Sequence, residues 1–111
     1  MEHIIDILQS YTFTVNDEKY LQSEISEVFR MEGIIFEKEV MLSTGIIDFV
    51  VDGIGIEIKI KQQPMSIYRQ LERYLEDDRV KEILLASVKT VTLPETINGK
   101  RARSVTLRGG I

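Results

Sequence analysis

Residues 46–51 are apolar at every position except Asp48, and residues 54–60 repeat the pattern with Glu57 and Lys59 as the charged exceptions. Runs this short and this apolar predict strands buried on both faces. Asp52-Gly53 between them is a two-residue hairpin signal, because the favoured tight turn needs positive φ at both central positions. Upstream, Leu21, Ile25, Val28 and Phe29 recur at helical spacing, with Asn16 as the expected cap, Asp17 and Glu18 in the first turn, and Gly33 as the stop. Residues 34–42 read as a strand that breaks at Ser43-Thr44-Gly45. A second helix opens at Pro64 and Ser66, buries Ile67, Leu71, Tyr74 and Leu75, and ends at Asp77-Asp78. Residues 83–88 predict another strand. After a Leu93-Pro94 break and a loop through Asn98-Gly99, residues 104–107 predict the last. The first dozen residues place Ile4, Ile5, Ile7 and Leu8 at helical spacing with weak caps, which suits a short helix or an ordered arm.

Helix, three strands, helix and strand in this order describe an α/β domain with a central mixed β-sheet flanked by helices. The helix between the third and fourth strands makes that pair a parallel crossover. With two prolines, no repeat and no linker-like stretch, residues 1–111 read as one domain. No cysteine is present, so disulfides, thiolate metal sites and a cysteine nucleophile are excluded, and an intracellular, cytoplasmic setting is expected. There is neither a leader pattern nor a run of about 18 apolar residues, so no membrane partner is expected. The glycines form no phosphate-cradling loop, and ATP hydrolysis is not indicated.

Strand alternation puts Glu57 and Lys59 on one face. A two-residue turn at Asp52-Gly53 sets Asp48 opposite Glu57, and a four-residue loop sets it opposite Lys59; either register keeps the three together. Directly opposed carboxylates in an apolar sheet repel, at Cβ separations of about 4.5–5.5 Å. Lys59 offsets one charge, whereas a divalent cation offsets both. Hard oxygen ligands without sulfur point to Mg²⁺ or Mn²⁺. The alternative is a buried cluster that is simply paired.

Asp48, a hairpin and then Glu57-Ile58-Lys59 resembles the signature of the PD-(D/E)XK nucleases, with Ile47 where that name has proline. Gln70 and Tyr74 are similar to the Gln-x-x-x-Tyr motif of one branch of the family, and at four-residue spacing they share a helix face. Glu18 looks like the helix glutamate that completes the family's metal site, with Glu24 as the other candidate. Glu39 looks like an acid that recurs in small phage- and prophage-type members. The likeness spans about residues 17–108. It implies a restriction-endonuclease-like core and Mg²⁺- or Mn²⁺-dependent hydrolysis of DNA phosphodiesters, the metal bound by Asp48, Glu57, Glu18 and the carbonyl of Ile58. It also implies that Lys59 orients the attacking water and stabilises the developing charge.

The charge balance, 14 Lys plus Arg against 18 Asp plus Glu for a formal -4, is not that of a general phosphate-binding surface. Bound cations would invert the field locally. Lys61, Arg69, Arg73, Arg101 and Arg103 are then the candidate DNA contacts, beside Lys100 and Arg108, and a solvated face is the alternative for all of them. His3 and Tyr68 receive no role. So small a chain has little surface for a duplex, and a homodimer or higher homo-oligomer with twofold-related sites would suit cutting two strands. The rival reading is a nucleic-acid- or protein-binding module that keeps the fold without the reaction.

Overall fold

The computed structural model describes residues 1–110. In chain order the elements are α1 (Glu2–Gln9), β1 (Thr12–Phe13), α2 (Glu18–Met31), β2 (Glu37–Leu42), β3 (Gly45–Val51), β4 (Ile54–Lys59), α3 (Pro64–Tyr74), β5 (Glu82–Ser87), β6 (Thr96–Ile97), β7 (Lys100–Thr106) and β8 (Arg108–Gly109). Six strands form one sheet in the order β2-β3-β4-β5-β7-β6, and β1 pairs with β8 separately. Within the large sheet β4, β5 and β7 run parallel and the remaining pairs are antiparallel, so the sheet is mixed and α3 is the crossover between β4 and β5. Two cores lie against it. One joins α1 and α2 to Phe49, Ile56, Ile58, Leu84 and Val105; the other joins α3 to Ile47, Ile83, Leu85 and Ala102. No helix among the described residues is long and apolar enough to cross a membrane.

The end of α2 is set by a backbone that only a residue tolerating positive φ can supply. Gly33 has φ 73°, its N–H donates to the Arg30 carbonyl at 3.1 Å, and the Ile34 N–H donates to the Phe29 carbonyl at 2.8 Å. This is the paired closure of a Schellman end, and Ile34 packs back on the core beside Phe29. At the other end Asp17, not Asn16, is the cap: its side chain accepts from the Lys19 N–H at 3.0 Å. Phe36 stands against Phe29 and Phe49 at centroid distances of 5.6 and 5.7 Å, so residues 34–36 leave the predicted strand to complete an aromatic cluster.

Two hairpins carry positive φ at both central residues: Asp52 and Gly53 at 48° and 77°, Asn98 and Gly99 at 52° and 74°. The first fixes Val51 opposite Ile54, the two-residue register. The second corrects the expectation of an open loop, because it joins β6 to β7 and starts the last strand at Lys100 rather than Ser104.

Lys100 is a structural cation. Its Nζ donates to the carbonyls of Leu75, Asp77 and Val80 at 2.7, 3.2 and 2.7 Å, satisfying groups at and beyond the C-terminus of α3. Lys100→Met is expected to lower stability by about 2–3 kcal/mol, since a charge-assisted bond contributes roughly 1.5–3 kcal/mol and water recovers part of the loss. Urea unfolding checks it through a lower midpoint at unchanged slope.

Candidate active site

Side-chain partners replace the β3–β4 backbone ladder where the acids stand. Backbone pairing runs from Val51↔Ile54 through Val50↔Gly55 to Phe49↔Ile56. Beyond that the Asp48 N–H donates to Glu57 Oε1 at 3.3 Å, and the Ile58 N–H donates to Asp48 Oδ2 at 2.8 Å. The neighbours of Asp48 show the same break. Phe49 and Val51 enter the core of α1 and α2, whereas Ile47 enters the core of α3. In a regular strand residues two apart share a face, so β3 changes sides at Asp48. The expectation that Asp48, Glu57 and Lys59 project from one face is corrected accordingly: Asp48 accepts a hydrogen bond from Gln22 of α2, whereas Glu57 stands beside Tyr74 of α3.

The strand beyond is irregular at the same level. Glu39 has φ 53° between the pairs Lys38↔Phe49 and Val40↔Ile47, at the position that would face Asp48. A non-glycine residue in that region costs about 1–2 kcal/mol. Its carboxylate lies 3.8 Å from Lys19 Nζ and adds to the negative field on Asp48.

Glu57 is 3 % exposed and Lys59 is 7 % exposed, with Lys59 Nζ 3.2 Å from Glu57 Oε2. Tyr74 donates its hydroxyl proton to the Ile46 carbonyl at 2.7 Å and stands 3.4 Å from Glu57 Oε2, while Gln70 Nε2 donates to the Tyr74 oxygen at 2.9 Å. The four-residue spacing therefore joins Gln70 to Tyr74, and Tyr74 links α3 to Ile46 and Glu57. On the other side Gln22 Nε2 donates to Asp48 Oδ1 at 3.0 Å. Nothing in the sequence reading singled out Gln22. The available signal was a polar residue in the buried stripe of α2, four positions after Glu18.

Burial raises the Asp48 carboxyl, with the Ile58 N–H opposing. Glu57 is pushed up to about 8, chiefly by burial and then by the Asp48 charge, with Lys59 opposing. Glu18 is also raised, by burial first; Lys59 pulls it back and Asp48 adds to the rise, which sets Glu18 within the field of both. Glu24 is engaged elsewhere, accepting from the Thr14 N–H and Oγ1 at 2.8 and 3.1 Å. Between the two candidate helix acids, Glu18 is the one near the cluster. Burial and the charges of Glu57 and Asp48 keep the Tyr74 hydroxyl protonated.

The donor set can be tested against a divalent cation. Among the described residues no three acidic or histidine side chains converge into a ready cage. The chemistry fits nonetheless, because two desolvated carboxylates share one buried cation, Lys59, and both are driven towards protonation, the condition a hard divalent ion relieves.

Lys61, Arg69 and Arg73 are exposed, Lys61 beside Glu18 in a cleft and the two arginines on α3. Arg101 and Arg103 are not brought to the site. β5 separates their strand from β4, and both pair with Glu2, Arg101 at 3.2 Å and also 3.8 Å from Glu82. Arg108 donates to the Gln9 carbonyl at 2.6 Å. The contacts to Glu2 and Gln9 were invisible in the sequence because they join positions about a hundred residues apart.

Comparison with family models, with curated proteins and with solved structures finds no match to this chain.

If Asp48 ligates a divalent cation, Gln22→Leu is expected to weaken Mn²⁺ binding by about tenfold, since loss of a group that orients a ligating carboxylate typically costs 10–100-fold in affinity. Calorimetric titration checks it, with circular dichroism to show that the fold persists. Unchanged affinity would mean that Gln22 only fills space.

Proposed function

We propose that this chain is a metal-dependent nuclease of the PD-(D/E)XK type with a restriction-endonuclease-like core, hydrolysing phosphodiester bonds of DNA. The observation that supports it most is the opened β3–β4 ladder, where the half-buried Asp48, the buried Glu57 and the buried Lys59 ammonium meet the Gln70–Tyr74 pair. Asp48, Glu57, the Ile58 carbonyl and Glu18 are the residues that would hold Mg²⁺ or Mn²⁺. The cation, when bound, supplies Lewis-acid stabilisation of charge on the phosphate. Lys59 presents a fixed ammonium beside Glu57, able to orient water and to donate to the oxygens of the pentacovalent state. Tyr74 and Gln70 buttress Glu57, and Gln22 orients Asp48. Arg69, Arg73 and Lys61 are the free cations best suited to phosphates, and a homodimer would pair two such sites for double-strand cutting.

A second reading, binding of nucleic acid or a protein without cleavage, draws on one observation: both Asp48 oxygens already accept hydrogen bonds from the protein. Incubating wild type and Asp48→Asn with plasmid, linear duplex, single-stranded and branched DNA in Mg²⁺, Mn²⁺ or EDTA separates the two. Metal-dependent cleavage by wild type that Asp48→Asn lacks is the expected result. Retention of DNA without cleavage in any metal would overturn the nuclease in favour of the binding module.

A further inference from the structure

Tyr20 stands on the first turn of α2, 55 % exposed, away from the helix's core stripe of Leu21, Ile25, Val28 and Phe29. An aromatic ring fixed on a helix yet left in solvent contributes little to folding and offers an open face for stacking. It lines a cleft of about 400 Å³ with Thr14, Asn16 and Asp17. The wall is held in place, because Glu24 accepts from both the N–H and the hydroxyl of Thr14, and Asp17 Oδ1 accepts from the Lys19 N–H. What remains for a ligand is the Asn16 amide, a donor and an acceptor together, and Asp17 Oδ2, an acceptor.

The chemistry of this cleft is wrong for a phosphate and right for a base. Asp17 carries the negative charge at the helix start and caps its amides, so an anion would be repelled there. A ring face beside an amide and a carboxylate suits a flat heterocycle whose edge carries N–H groups. Asn16 also lines a second cleft of about 400 Å³, with Val15, Glu18, Ile60 and Lys61. Glu18 is the residue that feels both Asp48 and Lys59. Asn16 thus joins the two clefts, one holding the exposed Tyr20 ring and the other the exposed Lys61 ammonium beside Glu18 and next to the strand end that carries Lys59.

We propose that the Thr14–Tyr20 cleft is a nucleobase subsite: an unpaired base stacks on Tyr20 with its edge on Asn16 and Asp17, and its backbone passes Lys61 on the way to the cleavage centre. The inference rests on the nuclease reading and sharpens its substrate. Bases inside a duplex are already stacked and cannot reach a side chain this way, so the favoured substrate is a single strand or a frayed or branched end.

The test uses Lys59→Ala protein with Mg²⁺ and a single-stranded oligonucleotide carrying 2-aminopurine, whose fluorescence drops on stacking. Anisotropy of an end label reports total binding in parallel. The expected result is quenching on binding that Tyr20→Phe preserves and Tyr20→Ala abolishes, with affinity lowered about tenfold by the alanine. Binding without quenching, or quenching untouched by Tyr20→Ala, overturns the subsite while leaving the nuclease reading intact. No binding at all overturns the subsite too, and the wild-type cleavage assay then tells whether the nuclease reading falls with it.

Discussion

Lys59→Ala is expected to lower metal-dependent cleavage by about a hundred- to ten-thousand-fold, the range for loss of a group that moves a proton or stabilises transition-state charge. Lys59 is the only buried cation among the described residues, and it is held 3.2 Å from Glu57 in a site whose other charged groups are carboxylates. Removing one partner of a buried ion pair ordinarily costs about 3–5 kcal/mol, because an isolated charge is left behind. Glu57 has an escape: its carboxyl, pushed up to about 8, already holds its proton at neutral pH, and loss of the ammonium, which opposes that rise, strengthens its hold. The variant should therefore remain folded at neutral pH and lose stability mainly in alkali. Steady-state kinetics distinguish the roles. A fall in kcat with KM nearly constant places Lys59 in the transition state, whereas a rise in KM alone would reduce it to a phosphate anchor. Lys59→Arg should not restore the rate, since a planar guanidinium does not reproduce the compact point charge of an ammonium.

The clustered charges were legible because they stand out in apolar strands. Asp48, Glu57 and Lys59 interrupt otherwise apolar runs, and of the two registers that Asp52-Gly53 left open the structure adopts the two-residue turn, with Val51 opposite Ile54. The parallel crossover through α3 followed from element order alone. What escaped the sequence had a physical reason in each case. β6, β1 and β8 are two residues long, too short for any period to show. The side change of β3 at Asp48 stands opposite the irregular Glu39 in its neighbour, and the backbone of neither has a compositional mark. Gln22 was hidden by lying in an apolar stripe, where a polar residue reads as tolerated filler until its partner is known. Arg101 and Arg103 resemble a basic patch in sequence, but Glu2 folds onto them.

The irregularities converge on one level of the sheet. A straight β3 would leave the Asp48 carboxylate on a single face and the backbone of β4 fully paired. With the ladder opened, the Ile58 N–H turns to Asp48, and Gln22 of α2 and Tyr74 of α3 reach the two acids from either side. Local strain at Glu39 and loss of ladder bonds are the costs, of order 1–3 kcal/mol for the backbone alone. That a stable core tolerates them is itself an argument that the opening serves binding or chemistry, since an apolar residue at position 48 would pack the hairpin without any of these costs.

Cation-free protein is expected to lose stability as pH rises from about 4.5 towards 8. Glu57 has an ordinary value of 4.5 and is raised to about 8 in the fold, chiefly by burial. Between those values the native state holds a proton that the unfolded chain has released, so the unfolded state binds fewer protons and stability must fall with pH. The contribution is fully present below the unfolded value and gone once pH passes the folded one. Asp48, raised for the same reason, acts in the same direction. At 1.36 kcal/mol per unit of pKa difference the total loss is roughly 2–5 kcal/mol. Glu57→Gln keeps the volume without the charge, and should flatten the pH dependence and make the cation-free protein more stable than wild type at pH about 8. Mn²⁺ competes with protons for the same oxygens, so it should raise the urea midpoint of wild type strongly at the alkaline end and barely at the acid end. Urea titrations across this pH range, with EDTA and with Mn²⁺, give all four curves. A wild-type slope that survives in Glu57→Gln would place the pH sensitivity elsewhere, and a Mn²⁺ effect independent of pH would mean that the ion binds away from Asp48 and Glu57.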